Sequence, residues 1–195
     1  MYDIELKYRK GKHRNILIAA PHHCESRNEK IGFNYERPGD KYTGKVAELI
    51  ADKLECGLLI CKNYFIDPNK YETSDYYNII DNLKPSLLVE IHGHGSKNNI
   101  YEIEIASQRK TQHSEHFSQI LFDEMKKNDE LDKITICGKL DKIYFTAPET
   151  LTIQNEKWIG IHIELPIYLR QNSIVRDMFI DAVVKAIKTF MQVLF

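Results

Sequence analysis

The sequence predicts one α/β domain, a mixed and largely parallel β-sheet with helices on both faces. Three observations carry this. Short apolar runs bounded by turn residues recur along the chain, segments of helical spacing alternate with them, and 195 residues suit one domain. A chain of this length removes roughly 70% of its unfolded surface from water, enough for a hydrophobic core without disulfide staples.

The elements follow in order. "YDIELKY" (2–8) alternates and suits an antiparallel edge strand, and "NILIAA" (15–20) is a short apolar run expected to be a buried strand. A polar loop, "ESRNEKIGFNYERPGD" (25–40), is long enough that a compact domain would keep it for function or motion. "KYTGKVAELIADKLE" (41–55) has helical spacing at Val46, Leu49, Ile50 and Leu54. "GLLICK" (57–62) is a second buried strand, and "YYNIIDNLK" (76–84) a helix that ends before Pro85. "SLLVEIHGHG" (86–95) is a third apolar strand, terminating on histidines and glycines. A strand at "YEIEIAS" (101–107), a helix at "SEHFSQILFDEMKKN" (114–128) and short strands at "KITICG" (133–138) and "KIYFTA" (142–147) come next. The last strand, "WIGIHIEL" (158–165), stops at Pro166. The final helix carries Ile174, Val175, Met178, Phe179, Ala182, Val183, Ala186, Ile187, Phe190 and Met191 at helical spacing, the face expected to meet the core.

Composition narrows the function classes. Apolar residues make up 43% and charged residues 28%, and 27 basic against 28 acidic residues leave a net charge of −1. That balance lacks the basic footprint of a nucleic-acid binder. Cys24, Cys56, Cys61 and Cys137 contain no CxxC pair or zinc-finger spacing. "MYDIELKYRK" has no signal-peptide pattern, and the apolar runs fall short of the roughly 20 residues a membrane span needs. The expectation is a cytoplasmic protein with reduced thiols, acting on a small molecule or short peptide, without nucleic-acid or membrane partners.

Ligands of α/β sheets bind beyond the carboxyl ends of the strands, where this chain concentrates its reactive groups. His22 and Glu25 stand H-x-x-E in the turn after the first buried strand, and His92 ends another strand. Two histidines and a carboxylate with an open fourth position form a catalytic zinc set. A single strand-end histidine is more often a hydrogen-bonded structural residue; the conjunction carries the reading. His23 competes with His22, since neighbours in a turn can both point inward.

Glu164 ends "WIGIHIE", where alternation groups it with Gly160 and His162. A carboxylate ending an apolar strand is expected to have a raised pKa suited to a general base, its bland alternative being a salt-bridged strand end. Glu90 shares the face of His92 and could orient its imidazole. Arg170, Arg109 and the pair Asn69–Lys70 are candidates to hold a substrate carboxylate or an oxyanion, the alternative for each being a solvated side chain on the surface. Cys24 suggests a nucleophile but would need a base from a distant segment.

"ILIAAPHHCE", "DPNK", "VEIHGHG", "IEIAS" and "IHIELPIYLR", in this order over about residues 15–170, resemble the N-formylglutamate amidohydrolase family, related to zinc carboxypeptidases and phage poly-γ-glutamate hydrolases. The resemblance implies a phosphorylase/hydrolase-like α/β fold and a single zinc ion. It implies His22, Glu25 and His92 as metal ligands, with Glu29 an alternative to Glu25, and Glu164 as general base. Asn69 and Lys70 fall where relatives carry an Asn–Arg pair for a substrate carboxylate; the lysine loses bidentate geometry. The expected activity is hydrolysis of an amide bond in a small N-acyl amino acid or glutamyl-type substrate. Arg170 or Arg109 would stabilise the oxyanion or anchor the substrate. The competing readings are a non-catalytic binding domain of the same fold and a Cys24-dependent acyl hydrolase.

Overall fold

Strand order is set by which apolar runs can be buried on both faces. A computed structural model of the chain describes residues 5–25, 30–31, 37–62, 66–95 and 100–195. The strands are β1 (Glu5–Arg9), β2 (His13–Cys24), β3 (Lys30–Ile31), β4 (Arg37–Pro38), β5 (Asp40–Lys41), β6 (Cys56–Lys62), β7 (Leu87–His94), β8 (Ile103–Ser107), β9 (Ile136–Cys137) and β10 (Ile159–Pro166). The helices are α1 (Thr43–Leu54), α2 (Asp75–Leu83), α3 (His113–Met125), α4 (Leu151–Gln154), α5 (Ile167–Gln171) and α6 (Ser173–Leu194). The main sheet runs β1-β6-β2-β7-β10-β8-β9, with β5 added beside β2. β6, β2, β7 and β10 are mutually parallel, while β1 and β8 run antiparallel to β6 and β10.

The mixed, largely parallel sheet and the helices on both faces agree with the sequence expectation. Alternation in the central strands feeds two cores. Ile18, Leu58, Val89, Ile91, Ile161 and Ile163 face α1, α3 and α6, whereas Leu17, Leu59, Leu88 and Trp158 face Tyr76, Tyr77 and Ile80 of α2. Burying one such aliphatic side chain stabilises the fold by about 1.5–3 kcal/mol.

Two short strands depart from expectation. "KIYFTA" is irregular, and only Ile136–Cys137 of "KITICG" pairs in the sheet. The chain from 140 to 150 instead folds over the sheet end, held by Glu104 Oε2, which accepts the Tyr144 and Phe145 N–H groups at 2.9 Å each. No described helix is long and apolar enough to cross a membrane.

Candidate active site

The site is built where β2, β7 and β10 reach their carboxyl ends. Register places Glu164 beside His92 and His162 beside Glu90, so four polar side chains share one sheet face. β2 reaches that face by an irregularity. Ala20 pairs with Ile60 and His23 with Lys62, leaving one extra residue on β2. Without it, His22 would fall on the Ile18 and Ala20 face; the bulge turns it toward His92. His23 goes the other way, its Nδ1 accepting the Gly44 N–H at 3.1 Å in the first turn of α1.

His22 and His92 approach with ring centroids 4.9 Å apart. The carboxylate between them is Asp40, whose Oδ2 lies 3.5 Å from His22 Nδ1 and 3.5 Å from His92 Nδ1. His22, Asp40 and His92 are 3%, 5% and 1% exposed. Each imidazole is backed through its other nitrogen: His22 Nε2 lies 2.7 Å from Asp67 Oδ1, and His92 Nε2 3.3 Å from Glu90 Oε2. Donation through Nε2–H leaves both Nδ1 lone pairs directed at the shared position. Carboxylate–histidine pairs of this kind fix ligand tautomers at metal sites.

These residues fit a zinc ion. Donors roughly 2.0–2.2 Å from zinc at a tetrahedral angle lie about 3.4 Å apart, close to the spacing here. His92 Nδ1 is buried without a hydrogen-bond partner among the described residues, as an unfilled ligand atom would be. His22, Asp40 and His92 form one of the two groups of potential ligands among the described residues. The other, Glu90, His92 and His162, shares His92. Glu90 already accepts from Asn69 Nδ2 at 3.0 Å and Tyr76 OH at 2.9 Å, which suits support of His92 better than a second ion.

Charge is strongly polarised here. Burial alone would drive the His92 pKa down, but the close carboxylates of Asp40, Glu90 and Glu164 raise it to about 9. Burial pushes Asp40 up, yet the His22 and His92 imidazoles 3.5 Å away hold its carboxyl well below the usual range. Glu164 differs from the sequence expectation. Burial raises its pKa, but the His162 hydrogen bond and the charges of His162 and His92 outweigh that, and the net shift is downward. It is an ionised acceptor at neutral pH. Oε1 lies 3.1 Å from His162 Nε2, and Oε2 is buried without a hydrogen-bond partner among the described residues. His162 in turn stacks on His92 with centroids 3.9 Å apart.

His22, His92, His162 and Glu164 line a cavity of about 330 Å³ that also includes Asn69, Lys70 and the segment from Tyr144 to Thr150. Lys70 Nζ stands 3.6 Å from Asp67 Oδ2 and 3.8 Å from Glu149 Oε2 at its edge. Asn69 is 1% exposed and donates inward to Glu90, so its amide supports the His92 pair.

Three expected residues are not among those lining the cavity. Glu25 is exposed on the far side of β2, 3.6 Å from Lys62 Nζ, and Asp40 takes its place in the cluster. β2 continues through Cys24, so the H-x-x-E spacing does not bring Glu25 beside His22 and His92. Glu29 lies outside the described residues. Arg170 is buried but bonds backbone carbonyls of Lys41, His94 and Pro166, which ties β5, β7 and β10 together. A Cβ at Gly93 would stand 2.2 Å from its Nη1, so only glycine admits the guanidinium. Arg109 is exposed by a separate cavity of about 700 Å³ with Ser86, Trp158 and Ile159. β8 runs antiparallel to β10, so residues following β8 emerge at the opposite end of the sheet. Cys24 is buried against Gly39 and is not among the cavity residues.

Sequence reasoning missed Asp40, Asp67 and His162. Asp40 carried a usable signal, as the last residue of the long polar loop and just before α1. Asp67 lay within the quoted "DPNK", and His162 within the alternation that selected Glu164.

No family model and no curated protein matches the sequence. Solved structures do match the fold. The chain aligns over 97% of its length with 90% of a bacteriophage poly-γ-glutamate hydrolase, at 11% identity and a TM-score of 0.65. It aligns over 93% with 98% of an N-acetylmuramoyl-L-alanine amidase from Clostridium difficile 630, at 16% identity and a TM-score of 0.57. It aligns over 91% with 96% of the N-acetylmuramyl-L-alanine amidase Ami1 from Mycobacterium smegmatis, at 12% identity and a TM-score of 0.57. At these identities the likeness establishes a shared single-domain α/β architecture.

Proposed function

We propose that the chain is a zinc-dependent hydrolase of an amide bond, acting on an N-acyl amino acid or glutamyl-type substrate with a carboxylate near the scissile bond. One observation carries the reading. The Nδ1 atoms of His22 and His92 each stand 3.5 Å from one oxygen of Asp40, each imidazole is backed by a buried carboxylate, and both rings line the same cavity as Glu164. The fold shared with hydrolases of poly-γ-glutamate and muramoyl-alanine amides agrees with it.

His22, Asp40 and His92 would hold the ion, which when bound supplies a Lewis acid for the scissile carbonyl and acidifies a water. Glu164 receives the proton of the attacking water at Oε2 and delivers it to the departing nitrogen. Its ionised state suits the first of these transfers. Lys70, at the cavity edge, is the cation placed to meet a substrate carboxylate, as a point charge rather than a bidentate clamp. Asn69 keeps Glu90 on His92.

The test is zinc analysis of purified protein with a screen of N-acyl amino acids, γ-glutamyl peptides and muramoyl-peptide amides. One zinc per chain, lost in His92→Ala, and chelator-sensitive turnover are expected. Stoichiometric zinc that survives His92→Ala, or turnover abolished by thiol alkylation and indifferent to chelators, would refute the assignment.

A further inference from the structure

Residue 162 carries an imidazole where an aliphatic side chain would serve the strand. Ile161 and Ile163, its neighbours on β10, are fully buried. His162 is 5% exposed, and its Nδ1 has no hydrogen-bond partner among the described residues, an arrangement that costs free energy. Against that cost the ring makes two specific contacts. Nε2 lies 3.1 Å from Glu164 Oε1, and the ring stacks on His92 at 3.9 Å with planes 25° apart.

An ionised carboxylate only accepts, so the proton in the first contact belongs to His162 Nε2. Glu164 Oε1 is thereby occupied, and Oε2 is the oxygen left without a hydrogen-bond partner among the described residues. Rotation of the Glu164 side chain would break the bond. The stack adds a second restraint, because His162 is confined between its own strand and the ring of His92 on β7.

We infer that His162 is the positioning residue of the general base: its Nε2–H holds Glu164 in the conformer that offers Oε2 to the cavity, in fixed relation to His92. The catalytic consequence rests on the amidohydrolase reading; the geometric consequence does not.

The experiment compares His162→Leu, which fills the volume without a donor, with His162→Gln, which restores an N–H, in the zinc-loaded full chain. Crystal structures, zinc content, kcat and KM are read for each. In His162→Leu, Glu164 is expected to leave its parental conformer or split among several, with zinc content unchanged. Its kcat should fall roughly 10- to 100-fold at unchanged KM, the usual loss for an outer-shell partner. His162→Gln should recover the conformer and most of kcat. Glu164 retaining its parental conformer in His162→Leu would overturn the inference, as would equal losses in both variants. If His162→Leu does not fold, His162→Ala is read in the same way. A parent that hydrolyses no compound in the screen counts against the functional reading alone, because the Glu164 conformers still decide this one.

Discussion

Asp40 and Glu25 divide what a simple spacing rule would merge. Both carboxylates flank the loop after β2, but Asp40 is 5% exposed and 3.5 Å from two imidazole nitrogens, while Glu25 lies on the surface near Lys62. Asp40→Asn removes the charge that matches a divalent ion and should weaken zinc binding by more than the roughly 10- to 100-fold typical of outer-shell changes. Glu25→Gln should leave it unaltered. Competition with a chromogenic chelator measures both, and equal losses would show that the ligand set is wrong. Glu164→Gln separates binding from chemistry. It should keep zinc and lower kcat by roughly 10²- to 10⁴-fold, the usual contribution of a general base. A variant with parental turnover would remove Glu164 from the mechanism.

At the level of elements, the geometry depends on how β10 meets its neighbours. Gly160 lets the strand approach α4 so closely that an added Cβ would stand 2.8 Å from the Ile153 Cα and 3.0 Å from its carbonyl oxygen. Backbone cannot yield as a flexible side chain does. Gly160→Ala should therefore destabilise the protein by about 1–3 kcal/mol, the range for overpacking. Zinc affinity should persist, because the proposed ligands sit on β2, β5 and β7. Urea denaturation and zinc titration check the two parts separately. The central strands β2, β6, β7 and β10 were legible as apolar runs, and α1 and α6 as periodic stripes. His22 and His92 were legible as candidates because strand ends in such sheets gather ligands. What stayed hidden was directional or non-local. The alternation of "YEIEIAS" is the same in either direction, so its antiparallel course, and with it the remoteness of Arg109, left no trace in the residues. The β2 bulge that separates His22 from His23 arises from pairing with β6, and Asp40 becomes a neighbour of His92 only when the loop returns beside β2.

For the molecule as a whole, buried charge links metal, proton and stability. In the metal-free protein the His92 pKa stands at about 9, above its ordinary 6.5, because Asp40 and Glu90 favour the cation despite burial. A raised folded-state value contributes stability that is complete below about pH 6.5 and is lost as pH rises through about 9. Asp40, shifted downward, remains a carboxylate across that window and adds no slope; its contribution disappears only as the solution becomes strongly acidic. Zinc requires neutral His92, so its binding must displace the proton, and apparent affinity increases with pH over the same interval. Raising pH therefore weakens the metal-free fold while strengthening the metal-bound one. At a free zinc concentration 1,000 times Kd, binding adds about 4 kcal/mol. For a chain of this size that corresponds to a Tm increase of roughly 8–16 °C. Melting curves with zinc and with chelator, taken between about pH 6.5 and pH 8.5, should show the gap widening as pH rises. Calorimetry in buffers of different ionisation enthalpy should record close to one proton released per zinc at the lower end. A gap independent of pH, with no proton released, would mean that His92 carries no proton in the metal-free protein and that the buried cluster is neutral before the ion arrives.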